Sequence, residues 1–450
     1  MEIDASFEKK TKSNGQARAI RIILPLIVVM VSLGIYLNSI RNQFVLDDLG
    51  IVVDNLYVTQ PGHLKDIFRS NYWAPAEKSN LYRPLTVLSL ALNHQAGGLD
   101  PRGFHVVNML LHAGASILLY FILLQLLKGK EEAFAVALLF AAHPIHVEAV
   151  TPVVGRSEGL SGVLIFAALL CYLRARDNRV WILAPLSGLF FLAATWSKES
   201  SFALPALILI CEWFYPGRKG FKRFLRVIPY VLLAALSFFF RIWILGEANM
   251  KTPVAFIDNP LVRHGIVTRI YTAGEITFDY IRLMVFPRVL SADYSYAQVE
   301  PVQSPLQAIF AIKVLVLLLI MTAALLLRKK IPEFLFAALF FLAAYAPVAN
   351  VIVPTGTIMA ERLMYVPSAA FCMIAGALLA RLYGMASSRA KITAAVITVL
   401  MVGGYSVRTV FRNRDFKDNG TLFSKTVQTS PKSEARAGLI RLQQLFRTQG

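Results

Sequence analysis

The chain has 450 residues, of which 56% are hydrophobic and only 16% are charged. Soluble domains carry about 25% charged residues, so this composition excludes an ordinary soluble protein. The net charge of +19 is spread as small clusters between apolar runs, which is typical of membrane loops and argues against nucleic acid as a partner. The three cysteines lie inside apolar runs without metal or disulfide spacing, and we interpret them as small buried side chains.

Apolar runs of about 18–22 residues recur along the sequence, and this length crosses a hydrocarbon core of about 30 Å. Backbone groups find no water in lipid, so the spans must be helices and the fold class is an all-α polytopic membrane protein. We predict eleven spans, at residues 20–40, 104–127, 133–153, 159–175, 180–197, 201–215, 224–245, 306–328, 333–353, 362–382 and 391–408.

Lys and Arg crowd into short loops on one side of these spans, which makes that side cytoplasmic. Residues 1–19 then form a cytoplasmic N-terminal tail, and residues 20–408 form the membrane domain. Two long loops, about 41–103 and 246–305, lie on the outer side. An odd number of spans puts the C-terminal tail, 409–450, outside as well.

The outer loops carry helical patterns of their own. Residues 63–73 have an amphipathic pattern, and Pro84 suits the first turn of another helix. Residues 268–287 are apolar, and we interpret them as an interfacial or re-entrant helix because an extra span would invert the charge pattern of the later loops. In the tail, residues 434–446 have a helical pattern.

Two adjacent carboxylates, Asp47 and Asp48, open the first outer loop. The pair could supply a general base that takes a proton from an acceptor hydroxyl, or it could be a solvated or capping pair. Neighbouring side chains diverge on both helices and strands, so we expect only one of the two to face a reaction.

Every polar cluster near a span end that is not a plain basic loop falls on the outer face. Ionisable groups at membrane depth are costly and mark a functional site, whereas helix caps would be shared between both faces. The residues are Asp47, Asp48, Arg83, His105, His143, His146, Glu148, Arg156, Glu158, Lys198, Glu199, Glu361 and Arg362.

His143 and His146 could share a helical face, which invites a metal interpretation. The third ligand is poorly placed, since Glu148 is two residues from one histidine and five from the other, and Pro144 disturbs the helix. Hydrogen bonding to a phosphate or substrate and ordinary polar packing remain open.

In two short outer turns a cation stands close to a carboxylate, Arg156 with Glu158 and Lys198 with Glu199. Each pair could be a local ion pair or could help hold an anionic lipid phosphate. Arg362 opens a span and could reach a phosphate or simply snorkel to the interface.

Short motifs recur in a fixed order along the chain. They are FVLDD at 44–48, YRPLT at 82–86, GFHVVN at 103–108, HPIHVEAV at 143–150, GRSE at 155–158, SKE at 197–199, DNP at 258–260 with TR at 268–269, AER at 360–362 with YVPS at 365–368, and RN at 412–413 with LF at 422–423. In this order the motifs resemble the TMTC family, the transmembrane and tetratricopeptide-repeat-containing O-mannosyltransferases.

The resemblance implies a GT-C fold of about eleven transmembrane helices with its active site at the lumenal or exterior face. The implied reaction moves a sugar, usually mannose from dolichyl phosphate mannose or another polyprenyl phosphate, to a Ser or Thr hydroxyl of a protein with inversion. In GT-C enzymes an acidic residue of the first outer loop is the catalytic carboxylate. That residue maps to the pair Asp47 and Asp48, and we expect Asp47 to be the base with Asp48 in support.

Cations would stabilise the lipid-phosphate leaving group, and the candidates are Arg362, Arg156, His143 and Lys198. Residues expected to bind substrate or to support the site are Arg83, His105, His146, Glu148, Glu158, Glu199, Glu361 and Tyr365. No metal ligand set is convincing beyond the two aspartates, so a divalent metal stays open.

Family members usually carry many tetratricopeptide repeats after the membrane part, whereas residues 433–450 resemble only the first helix of one repeat. We expect either a fragment or a chain that has lost its repeats, because one repeat cannot bury its own apolar face. The short cytoplasmic loops favour a prokaryotic plasma membrane over the endoplasmic reticulum. A glycan or lipid acceptor is the alternative, and a transporter or lipid flippase fits less well because mid-span positions are almost wholly apolar.

Overall fold

The computed structural model describes residues 22–127, 129–178, 180–215 and 220–433, and all regular structure within these ranges is helical. The helices are α1 Ile22–Arg41, α2 Leu56–Thr59, α3 Leu64–Arg69, α4 Pro84–Gly97, α5 Pro101–Leu126, α6 Lys130–Ala142, α7 Val147–Val150, α8 Arg156–Asn178, α9 Leu183–Thr195, α10 Leu204–Phe214, α11 Ile228–Met250, α12 Ile266–Val285, α13 Ala308–Leu327, α14 Pro332–Tyr345, α15 Ser368–Tyr383, α16 Ser388–Asn413 and α17 Asn419–Thr429. Short turns of tighter or wider helix lie at Leu49–Val53, Pro144–His146, Val153–Gly155, Glu199–Ala203, Phe221–Val227, Pro260–Arg263, Ala346–Val348, Glu361–Met364 and Arg414–Phe416.

Within these ranges, six helices are long and apolar enough to cross a membrane: α1, α5, α8, α11, α13 and α16. A seventh span would join α6 to Pro144–Val150 across a bend of 47°. Each predicted span contains an apolar helix, which confirms a multi-pass, all-α membrane protein. The count of eleven stays a prediction, because α9, α10, α14 and α15 have only 13, 11, 14 and 16 residues, and a full crossing needs about 20.

The helices approach one another closely where small residues allow it. A side chain at Gly376 of α15 would collide with Val136 of α6, and one at Gly162 of α8 would collide with the ring of Tyr365. Helix pairs in membranes gain most from such close packing, since lipid offers no hydrophobic drive between apolar surfaces. The first contact packs α15 against α6, and the second fixes the segment before α15 against α8.

The first outer loop folds into a small cap. Of the amphipathic stretch 63–73, only Leu64–Arg69 is helical and forms α3, while Pro84 stands at the first position of α4, as expected. Ile67 and Leu90 of these helices are buried with Phe104 of α5 and Val153 in a second apolar cluster, separate from the main core. The cap is therefore packed onto the same end of α5 and α8 to which Asp47 and Asp48 belong.

The second outer loop contains α12, a continuous helix of 20 residues where residues 268–287 are predicted to be helical. Lys313 of α13 forms ion pairs with Glu275 and Asp279 of α12, the latter at 3.4 Å. These ion pairs join α12 to α13. They also neutralise the charge of Lys313, which interrupts an otherwise apolar span.

The last span continues through Asn413, a few residues beyond its predicted end at 408. The chain then returns over the outer loops: the Gln43 N–H donates to the Lys417 carbonyl at 2.9 Å, and the Ala297 N–H donates to the Lys432 carbonyl at 2.7 Å. The predicted helix at 434–446 and the repeat-like segment that contains it lie outside the described residues, apart from Ser433.

Candidate active site

Asp47 and Asp48 have opposite environments. Asp48 is fully buried, and its carboxylate accepts backbone N–H bonds from Val45 at 3.0 Å, Val153 at 3.2 Å and Val154 at 2.7 Å. Burial raises the pKa of Asp48 to about 7, while these three bonds oppose the rise. Asp48 therefore links the first outer loop to the turn before α8 and has no face open to a substrate.

Asp47 is exposed, and within the described part of the chain its carboxylate takes part in no hydrogen bond or ion pair. Its charge nevertheless acts on Arg362, where it helps to raise the pKa of the guanidinium. It also acts on Tyr72 of the cap, whose pKa is raised mainly by burial. Among the described residues Asp47 is thus a carboxylate without a bonded partner, and its charge is within electrostatic reach of Arg362, a cation from a distant part of the chain.

Arg362 lies in the short Glu361–Met364 turn before α15 and is held by Glu148 of α7. One Glu148 oxygen pairs with Arg362 Nη1, and the other accepts the Arg362 backbone N–H at 3.0 Å. Arg362 Nη2 lies 3.3 Å from the Thr357 hydroxyl. The Arg362 side chain is 34% exposed, whereas that of Glu148 is only 3% exposed. The buried carboxylate therefore holds the guanidinium in place, while part of the guanidinium stays accessible.

Lys198 and Glu158 form a second, buried ion pair between the ends of α9 and α8. Burial lowers the pKa of Lys198, although Glu158 opposes the fall. The charges of Arg83 and Arg362 also act on Lys198. The Lys198 ammonium therefore lies in the same cluster as the two arginines.

Arg83 and Glu199 form a third pair at the border between the cap and the spans. The Arg83 guanidinium donates to Glu199 Oε2 from Nε at 3.0 Å and from Nη2 at 2.7 Å, and it lies 5.0 Å from the centre of the Tyr72 ring. Burial would raise the pKa of Glu199, but Arg83 and Arg241 lower it to about 2. This pair ties the cap to the turn that follows α9.

The three ion pairs and Asp47 together form one polar cluster at the predicted outer ends of the spans. A small cavity adjoins it, with Glu158 and Ser200 on its polar side. Its apolar walls come from α8, α14 and the segment that follows Arg362. The other residues that line it are Ile165, Ala203, Ala344, Leu363, Val366 and Pro367.

The surroundings of Arg156 are not those of an arginine that is free to bind a phosphate. Its side chain is fully buried, and its guanidinium donates to the Ser89 hydroxyl at 2.8 Å, to Asn93 Oδ1 at 2.9 Å, to the Phe104 carbonyl at 3.0 Å and to Asn108 Oδ1. All these acceptors are neutral. The structure places Arg156 as a clamp between α4, α5 and α8.

The histidines are also buried and bonded to the protein. His105 contacts the Asn42 carbonyl at 3.0 Å, His143 contacts the Met284 carbonyl at 2.9 Å, and His146 contacts the Ser368 hydroxyl at 2.7 Å. The structure therefore favours the polar-packing interpretation of this motif. Within the described residues no three His, Cys, Asp or Glu side chains are grouped to hold a metal ion.

Glu361 and Tyr365 point into the protein. Glu361 Oε1 accepts the Ser291 N–H at 2.6 Å and the Tyr294 hydroxyl at 2.8 Å, and Glu361 Oε2 lies 3.8 Å from Arg412 Nη2. Tyr365 is 1% exposed, and its hydroxyl is 3.0 Å from His112 Nδ1. Both residues fix the turn that carries Arg362.

Sequence reasoning missed two participants in this scaffold, His112 and Arg412. His112 lies mid-span and bonds both the Tyr365 hydroxyl and the Ala141 carbonyl at 3.0 Å. Arg412 is 1% exposed beside Glu361. A buried cation at a span end and a histidine inside an apolar run were the signals that could have found them.

No protein-family model matches the chain. Among curated proteins it is similar to the human protein O-mannosyl-transferase TMTC3, at 29% identity over 90% of this chain and 47% of the relative. It is also similar to the Caenorhabditis elegans protein O-mannosyl-transferase F38B6.6, at 26% identity over 94% of this chain and 60% of the relative. The chain spans about half the length of these relatives.

Among solved structures, the fold is similar to the oligosaccharyltransferase of Archaeoglobus fulgidus, crystallised with a tethered acceptor peptide, with a TM-score of 0.52. The match covers 87% of this chain and 55% of that chain at 12% identity, so it bears on the fold alone. The predicted GT-C fold class and the predicted resemblance are both confirmed: over most of its length the chain is similar to the TMTC O-mannosyltransferases.

Proposed function

We propose that the protein is a membrane glycosyltransferase that moves a sugar from a polyprenyl-phosphate donor to a Ser or Thr hydroxyl of a protein. The observation that carries this proposal is that the fold brings Asp47, an exposed carboxylate with no bonded partner among the described residues, within electrostatic reach of Arg362, a partly exposed cation that Glu148 holds. The first can take a proton from a hydroxyl, and the second can receive the charge of a departing phosphate.

The reaction follows from these two positions. Asp47 accepts the proton of the acceptor hydroxyl while the hydroxyl oxygen bonds to the anomeric carbon of the sugar. The bond from that carbon to the phosphate oxygen breaks on the opposite face, and its electron pair leaves with the lipid phosphate. This in-line displacement inverts the anomeric centre, and a single carboxylate is sufficient because a phosphate needs no proton in order to leave.

The phosphate would lie against the cations of the cluster. Glu148 holds Arg362 at the backbone N–H and at Nη1. The exposed part of the guanidinium can then face a phosphate without loss of position. Lys198 adds positive charge from beside Glu158.

The names of the relatives support mannose as the sugar and a protein as the acceptor, since they are called protein O-mannosyl-transferases. A transporter or flippase fits less well, because the charged cluster gathers at one end of the helices. We place the site at the exterior face of a prokaryotic plasma membrane, with the N-terminus cytoplasmic.

Transfer of labelled mannose from polyprenyl-phosphate mannose to a Ser/Thr peptide tests the proposal with protein purified in lipid nanodiscs. Asp47→Asn should slow the transfer by about 10²–10⁴-fold, and Asp54→Asn is the matched control because Asp54 is an exposed carboxylate of the same loop. Transfer by Asp47→Asn at the rate of an active wild-type protein would refute the assignment of the base.

A further inference from the structure

Leu46, the residue before Asp47, has an unusual backbone conformation. Its φ angle is 49°, in the left-handed region that bulky L-residues seldom occupy. Such a conformation persists only where the surroundings impose it, and it concentrates at functional sites. Because Leu46 is bonded directly to Asp47, its backbone angles set the direction in which the Asp47 carboxylate projects.

Bonds within the loop impose part of this conformation. The Asp48 N–H donates to the Val45 carbonyl at 3.0 Å, and the Leu49 N–H donates to the Leu46 carbonyl at 3.2 Å. The Asp48 carboxylate accepts the Val45 N–H from the other side. These bonds close a tight turn, but they leave the Leu46 N–H without a partner inside the loop.

That partner comes from the other end of the chain. The Leu46 N–H donates to Asn419 Oδ1 at 2.8 Å, across 373 residues of sequence. Asn419 is the first residue of α17, and the Asp418 side chain caps this helix by accepting the Thr421 N–H at 2.8 Å. A second bond, from the Gln43 N–H to the Lys417 carbonyl at 2.9 Å, holds the tail against the same loop.

We propose that Asn419 is a positioning residue: by fixing the Leu46 amide it aims Asp47 at the acceptor hydroxyl, so that the tail after the last span completes the active site. This inference rests on the proposed function, because it needs Asp47 to be the base. Asn419 itself touches no substrate. Its contribution should appear in the rate of proton transfer and not in the binding of the lipid donor, which the cations around Arg362 hold.

Three variants of α17 separate this role from a general need for the helix. Asn419→Ala removes the acceptor, and alanine is well tolerated in the first turn of a helix. Asn419→Asp keeps an oxygen at the Oδ1 position. Ser424→Ala is the matched control, because Ser424 is exposed on the same helix.

We expect Asn419→Ala to lower kcat about tenfold or more, since small displacements of a catalytic group have effects of this size, with the KM for polyprenyl-phosphate mannose unchanged. Asn419→Asp should keep most of the wild-type kcat, and Ser424→Ala should keep all of it. Asn419→Ala combined with Asp47→Asn should be no slower than Asp47→Asn alone, because the two changes remove the same function.

Hydrogen–deuterium exchange provides a readout that needs no activity. In Asn419→Ala the peptide that contains Leu46 should exchange faster, while peptides from α5 and α8 should exchange as in the wild type. Unchanged exchange at Leu46 would overturn the positioning role, and so would wild-type kcat in Asn419→Ala when Asp47→Asn is inactive. Full activity in Asp47→Asn would instead overturn the proposed function and, with it, the inference.

Discussion

Replacing Asp47 and Asp48 in turn by asparagine separates a chemical role from a structural one. Asp47 is exposed and unpaired within the described residues, so Asp47→Asn should change the free energy of unfolding by less than about 0.5 kcal/mol. The loss of a general base should nevertheless slow transfer by about 10²–10⁴-fold. The neighbouring substitution should show the reverse pattern.

The stability effect of Asp48→Asn follows from its three bonds. The asparagine carbonyl can replace Oδ2, which accepts the N–H groups of Val45 and Val153, but the amide NH₂ then faces the Val154 N–H. One charge-assisted bond is lost and two donors oppose each other, which costs about 1.5–3 kcal/mol. Asp48→Ala would lose all three bonds, with a cost of about 3–5 kcal/mol.

Both quantities are measurable on the same preparations. Thermal unfolding in detergent, followed by tryptophan fluorescence, gives Tm, and mannosyl transfer at a temperature well below Tm gives kcat. Asp47→Asn should keep the wild-type Tm and lose kcat, whereas Asp48→Asn should lower Tm by several degrees and keep more of its kcat. A wild-type Tm for Asp48→Asn, or a larger loss of kcat there than in Asp47→Asn, would refute the division of roles.

Three further predictions concern the cations and a buried carboxyl. Arg362→Lys should lower kcat by about 10²–10³-fold with little change in Tm, because an ammonium cannot both pair with Glu148 and reach the phosphate; Arg102→Lys, at an exposed arginine, is the control in the same transfer assay. Arg156→Lys should lower the free energy of unfolding by about 2–4 kcal/mol, seen as a lower Tm, and leave the KM for the donor unchanged; a raised KM with an unchanged Tm would contradict the clamp. Burial raises the pKa of Glu361 to about 7, so the folded protein holds this proton more tightly and stability falls as the pH rises from about 4 to about 7. Glu361→Gln should flatten that fall in Tm, and an unchanged pH profile of Tm would show that Glu361 does not cause it.

Local sequence pattern was sufficient to predict features that depend on a single helix or turn. The apolar runs predicted where the spans lie, the turn chemistry predicted Pro84 at a helix start, and the excess of Lys and Arg on one side predicted that the polar motifs share one end of the bundle. Pattern could not tell Arg156 from Arg362. Both follow a turn beside a carboxylate in sequence, yet one is enclosed by neutral acceptors and the other is held open by Glu148.

The sequence by itself determined that the protein is a polytopic helical membrane protein and that two adjacent carboxylates open the long loop after its first span, because hydrophobic periodicity and charge are properties of each segment alone. Only the tertiary structure decided which carboxylate is free. The Asp48 carboxylate accepts the N–H groups of Val153 and Val154, which lie more than 100 residues away in the sequence. The Leu46 N–H donates to Asn419, 373 residues further along the chain. Burial and pairing depend on which distant groups the fold brings within bonding distance, and no local pattern records those distances.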